Sequence, residues 1–228
     1  KIYGRRQRLD GNIREVRLTW EDSAPANYQM TFNAAGGVAN VAGTGQVALK
    51  VDNDAAGAQT PHIDQVLASA SAVAGAKGNG FVATNSPYLR VEFNINAADV
   101  NGKIFIGLRE TPGTAIPVAG ASVEDCAGIA WLGTVWGILS GDGVTISSQA
   151  PSVSPTNDSR HVIEFYITSG VSLEVWLDGV KVLTKTTNPP TGAAILQLSF
   201  LLEHAAVVGA ATKSVLTIGE VIIQENLA

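Results

Sequence analysis

The stretch Arg160–Thr186, RHVIEFYITSGVSLEVWLDGVKVLTKT, decides the fold class. Ile163, Phe165 and Ile167 alternate with Glu164, Tyr166 and Thr168, the period of a strand with one buried face. Ser169-Gly170 turns the chain, and Val171, Leu173, Val175 and Leu177 then alternate with Ser172, Glu174, Trp176 and Asp178. Asp178-Gly179 is the two-residue signature of a tight hairpin, because both central residues of that turn need positive φ. A third strand, Val180 to Thr186, returns along the second. Three antiparallel strands in so short a stretch form a meander that cannot stand alone, so a second sheet must cover its apolar face. A slip of one residue would turn every core side chain outward, so the register is predicted to be tightly held.

The same alternation runs outward in both directions. Tyr88 to Asn96 places Leu89, Val91, Phe93 and Ile95 on one side and Arg90, Glu92 and Asn94 on the other. Lys103 to Arg109 is a further strand, and Gly128 to Leu139, with Trp131 and Trp136, reads as a hairpin. Gly141-Asp142-Gly143 turns into Val144 to Ser148, and Ala194–Leu202 and Ser214–Gln224 supply two long final strands. Towards the N-terminus a strand is predicted from Arg14 to Trp20, followed by shorter apolar pieces at Tyr28–Phe32 and Gln46–Val51. His62 to Ala76 fits helix or strand, and its surroundings favour strand or irregular chain. Pro112, Gly113, Pro117 and Gly120 mark Thr111–Ala121 as a surface loop. About a dozen short strands separated by turns predict an all-β chain, a two-sheet antiparallel jelly-roll sandwich with an N-terminal arm. The expected division is residues 1–22 as arm and first strand, and 23–228 as a single β-sandwich domain.

Composition narrows the function classes. The 228 residues suit one large sandwich. Charged residues make up 15%, against roughly 25% in typical soluble domains, so much of the surface is neutral or covered by partners. A net charge of −5 argues against nucleic-acid binding. The single cysteine, Cys126, excludes an intrachain disulfide and a multi-cysteine metal site. No apolar run is long enough for a membrane-spanning helix, and the basic first residues lack the apolar core of a signal peptide. Arg5, Arg6, Arg8, Arg14 and Arg17 crowd the N-terminal stretch. Arginine forks pair well with carboxylates, so these five form a candidate partner-binding set, with Lys1 to Leu9 expected to reach a neighbouring chain.

Few residues suggest site chemistry. His62, His161 and His204 lack any metal-ligand spacing, and Asp52-Asn53-Asp54 reads as a turn, not a calcium loop. The acidic pairs Glu21-Asp22 and Glu124-Asp125 are expected in solvated loops. Cys126, beside two acids, reads as an inert small hydrophobe. Trp176, sharing a strand face with Glu174 and Asp178, is the candidate contact for a sugar ring or a protein partner. No cofactor or metal is expected.

The segments HVIEFYI, VSLEVWLDG and VKVLT, with PYLRVEFNI, KIFIGLRE and SVLTIGEVIIQ, resemble the concanavalin A-like lectin/glucanase jelly rolls, which include laminin-G-like modules. The resemblance implies a jelly roll and a glycan-related role. Glucanases of that superfamily carry an E-x-D-x-x-E strand; here no Glu has Asp two residues later, so the chain is expected not to be an enzyme. The Ala/Gly-rich, charge-poor style is also similar to tailed-phage virion proteins. The leading expectation is therefore a non-enzymatic virion structural protein, a capsid decoration or cement subunit bridging neighbours. Its partners would be the major capsid protein or other virion subunits, in a homo-oligomer located in the virion. The alternative is a carbohydrate-binding, lectin-like module of a tail fibre or cell-surface protein, with a glycan as ligand.

Overall fold

A computed structural model describes residues 13–18, 29–33, 38–41, 46–50, 62–66, 80–96, 102–111, 115–121, 123–192, 194–204 and 215–226. The chain order of strands is β1 (Ile13–Leu18), β2 (Gln29–Asn33), β3 (Val38–Val41), β4 (Gln46–Lys50), β5 (His62–Val66), β6 (Phe81–Val82), β7 (Tyr88–Ile95) and β8 (Gly102–Arg109). There follow β9 (Asp125–Trp131), β10 (Trp136–Asp142), β11 (Ile146–Gln149), β12 (Arg160–Thr168), β13 (Ser172–Leu177), β14 (Val180–Lys185), β15 (Ile195–His204) and β16 (Val215–Asn226). They form two antiparallel sheets, as the alternation predicts. The first runs β14-β13-β12-β7-β16-β4-β3, with β1 alongside the far half of β16; the second runs β11-β10-β9-β8-β15-β5-β2, with β6 on β15.

The meander folds as its sequence dictates. Asp178 (φ 51°) and Gly179 (φ 80°) both take positive φ in the β13–β14 turn. Asp178 tolerates it because its carboxylate accepts hydrogen bonds from the Val162 amide (2.8 Å) and from His161 Nδ1 (2.7 Å). Gly170 (φ 64°) closes the β12–β13 turn. Ile163, Phe165, Ile167, Leu173, Val175 and Leu177 all face inward and are buried, so the expected register stands. They meet Ile104, Ile106, Leu108, Ile129, Ile138, Leu198, Phe200 and Leu202 of the opposite sheet in one core.

The two outer faces differ, and the difference places the site. Behind the second sheet, Phe105, Cys126, Ala130, Leu139 and Leu201 form a smaller apolar cluster capped by Ile116 of the 115–121 segment. That cover is pinned electrostatically. Arg109 donates through Nε (3.1 Å) and Nη2 (2.8 Å) to Glu124 and through Nη1 (2.7 Å) to the Ala115 carbonyl. Glu124 and Asp125 are therefore buried, contrary to the solvated loop expected of them, because the guanidinium and the Thr191 amide (2.7 Å to Asp125) replace water. The outer face of the first sheet is polar and aromatic instead.

Candidate functional site

Antiparallel register sorts the outward side chains of the first sheet into rows, since residues directly opposite point the same way. One row reads Lys181, Trp176, Glu164, Arg90, Ile222 and Arg17 across β14, β13, β12, β7, β16 and β1. The next reads Glu174, Tyr166, Tyr88, Gln224 and Glu15. On the other side of the first row lie Val162 and Glu92, then Arg160, Asn94 and Thr217.

Glu164 is the centre of this face. Tyr88 donates its phenol to Glu164 Oε1 at 2.7 Å and Tyr166 donates to the same oxygen at 3.2 Å. The two rings stand 4.8 Å apart, tilted by 40°. Glu164 is 8% exposed, so these neighbours hold a carboxylate against the sheet on an otherwise accessible face. Burial first, then the hydrogen bond and charge of Glu164, push the Tyr88 phenol well above its ordinary value, so it stays a hydrogen-bond donor at any physiological pH.

Among the described side chains, the arginines and lysines of this face are each paired with a carboxylate. Arg90 bonds Glu220 (3.0 Å), which also takes Arg17 (3.2 Å), while Arg17 reaches Glu15 (3.3 Å). Lys181 bonds Glu174 (3.1 Å), with its ammonium 5.9 Å from the Trp176 ring centre. Arg160 grips Glu92. Beside that last pair, a β-bulge between Ile218 and Val221 opens a hollow of about 120 Å³ lined by Gln46, Glu92, Asn94, Arg160, Thr217 and Gly219. A Cβ at Gly219 would come within 2.8 Å of Glu92 Oε1, so any larger residue there has to push the Glu92 side chain aside.

The structure distributes the sequence-predicted residues unevenly. Trp176 and Glu174 lie on the face, in adjacent rows. Asp178 does not join them, since it braces its own turn. Arg17 is on the face and engaged by Glu15 and Glu220 of its own sheet; Arg14 pairs in β1 opposite Glu225. Arg5, Arg6 and Arg8, and the extended course expected for Lys1 to Leu9, fall outside the described residues. So does the Asp52-Asn53-Asp54 turn. His161 is buried with Nδ1 on Asp178 and Nε2 beside Thr156, a satisfied core histidine. Cys126 is buried, and burial followed by the charge of Glu124 pushes its thiol up, away from reactivity. Among the described residues no group of three or more His, Cys, Asp or Glu side chains could hold a metal ion.

Tyr88, Arg90, Glu92 and Glu220 were not singled out by the sequence. The polar parity of Arg90 and Glu92 on β7 was legible, but the assembly of these residues with Glu220 of β16 depends on β7 pairing with the distant β12 and β16.

No family model matches the chain, and no curated protein matches it in sequence. Solved structures do. An endo-β-1,4-glucuronan lyase from the fungus Trichoderma reesei aligns with a TM-score of 0.62 at 13% identity, over 93% of this chain and 96% of that one. A Bacillus licheniformis β-glucanase aligns at 0.59 and 13% identity, over 93% and 98%. The carbohydrate recognition domain of Emp46p aligns at 0.56 and 11% identity, over 86% and 88%. The fold is thus the two-sheet antiparallel jelly roll that these structures share. These neighbours correct the expectation that the chain is not an enzyme, because the same fold carries both a glucanase and a lyase. That expectation rested on one missing hydrolase strand motif, and elimination chemistry does not depend on it. A motif along one strand is also blind to carboxylates contributed by different strands, such as Glu92 of β7 and Glu164 of β12.

Proposed function

We propose that the outer face of the first sheet is a glycan-binding surface and that the chain is a carbohydrate-recognising jelly roll. The observation that carries this reading is the aromatic patch of Tyr88, Tyr166 and Trp176, set in adjacent rows among fixed hydrogen-bonding groups. A sugar ring presents an apolar C–H face and a rim of hydroxyls. Flat aromatic rings accept the first, and oriented carboxylates, amides and hydroxyls accept the second. Tyr166 and Trp176 supply the platform; Asn94, Thr217, Gln46 and Glu92 around the hollow supply the polar partners. The occurrence of this fold in a glucanase, a glucuronan lyase and a carbohydrate recognition domain supports the reading without assigning a substrate. No feature of the fold favours a capsid or tail location, and the virion reading is not carried forward.

Affinity electrophoresis through gels containing mixed-linkage β-1,3-1,4-glucan, xylan or alginate tests it. Wild-type protein is expected to be retarded in at least one gel, with Tyr166→Ala and Trp176→Ala restoring free mobility while each variant still unfolds cooperatively in urea. Free mobility of wild type in every gel would sink the proposal.

A further inference from the structure

The pairing of charges on this face points to the class of glycan, an inference that rests on the binding reading above. Among the described side chains the face carries the cations Arg17, Arg90, Arg160 and Lys181 and the carboxylates Glu15, Glu92, Glu164, Glu174 and Glu220, and Lys50 of β4 shares the face by its register with Val215. Among the described side chains, each of these four cations sits on a carboxylate of the same sheet. A polyuronate presents one carboxylate per sugar and needs cations to meet them.

Here an arginine can turn to a uronate only by leaving a glutamate behind. The exchange is poor where the abandoned group is shielded from water. Glu92 has a side chain only 11% exposed and Arg160 as its ion-pair partner, and Glu220 holds both Arg17 and Arg90. The exposed cations do not escape this logic, because each transfer only swaps one carboxylate partner for another. The uncharged groups are oriented for hydroxyls: the two phenols at Glu164, and the Asn94, Gln46 and Thr217 side chains around the hollow.

We infer that this surface selects an uncharged, hydroxyl-rich glycan and discriminates against polyuronates, although a polyuronate-cleaving enzyme shares its fold. Binding then owes little to long-range electrostatics and is insensitive to salt.

The test is affinity electrophoresis and calorimetry on the intact chain with mixed-linkage β-1,3-1,4-glucan, xylan, β-1,4-polyglucuronate and alginate, at about 20 and 500 mM NaCl. The expected result is binding to a neutral polymer that changes less than about twofold with salt, and no retardation by either polyuronate. Glu220→Gln, which removes the carboxylate shared by Arg17 and Arg90, is expected to gain salt-sensitive retardation by polyglucuronate. Tighter wild-type binding to a polyuronate than to any neutral polymer, lost at high salt, would overturn the inference and leave the glycan-binding reading standing. Retention by none of the four polymers would overturn that reading, and this inference with it.

Discussion

Replacing Tyr88 by phenylalanine removes one oxygen from the middle of the face and leaves the ring in place. The lost contact is the 2.7 Å hydrogen bond to Glu164, while Tyr166 continues to donate at 3.2 Å. Hydrogen bonds to charged acceptors contribute about 1.5–3 kcal/mol. Tyr88 is half-buried and water partly replaces the phenol, so the lower end applies. The expected loss at neutral pH is about 1.5 kcal/mol, or roughly 3–6 °C in Tm for a chain of this size. The alkaline limb carries a second signature. Burial, then the hydrogen bond and charge of Glu164, hold the folded-state Tyr88 far above the ordinary phenol value of 10.0, which the unfolded chain keeps. Above about pH 10 the unfolded chain therefore releases a proton that the folded chain retains. The stabilisation is complete below about pH 10 and declines as pH rises, by at most about 1.4 kcal/mol per unit. By about pH 11 most of the difference between wild type and Tyr88→Phe should be gone. Urea titrations at stepped pH measure it directly. A stability gap that is the same at about pH 8 and pH 11 would refute the coupling of Tyr88 to Glu164.

Other expectations follow from buried charge. Arg109→Ala leaves Glu124 buried without its partner and should cost about 3–5 kcal/mol in urea titrations, while Arg109→Met with Glu124→Leu should recover most of the loss; a single-variant cost below about 1 kcal/mol would show that the pair does not pin the cover. Lys185 is buried and burial holds it below its ordinary value, so folding disfavours its charged form. Lys185→Met should therefore raise Tm at neutral pH. That advantage should shrink as pH approaches the unfolded value of 10.5, and a lower Tm in the variant would contradict it. In Gly219→Ala the new Cβ would fall 2.8 Å from Glu92 Oε1 and 3.1 Å from Cγ, displacing Glu92 from Arg160 at a cost of about 1–3 kcal/mol. Unchanged stability and unchanged glucan binding in that variant would exclude the hollow from the site.

The fold was largely legible because period-two alternation is a local signal. The β12–β14 meander, the β7 and β8 strands and the Trp131–Trp136 hairpin follow from residues next to one another, and their boundaries agree within a few positions. Turn chemistry was local too, with Asp178-Gly179 adopting the predicted positive φ. The site was legible only in part. Trp176 and Glu174 could be picked out as polar-side residues of one strand, but Glu164 acquires its setting from Tyr88, far away in the chain and opposite Tyr166 only once β7 and β12 pair. The hollow depends on a bulge in β16 that no alternation pattern announces. Glu124-Asp125 misled for the same reason: its burial comes from Arg109 across the β8–β9 connection, invisible from the pair's own neighbours.

The central claim is that sugar binds on the outer face of the first sheet. The most direct measurement is a crystal structure of the chain soaked with a mixed-linkage gluco-oligosaccharide. One sugar ring of the oligosaccharide is expected within about 4 Å of Tyr166 or Trp176, and other rings of the same chain, roughly 10–20 Å further along the strands, at Glu92, Asn94 or Thr217 of the hollow. An oligosaccharide bound instead over the Ile116 cover of the second sheet would contradict the account.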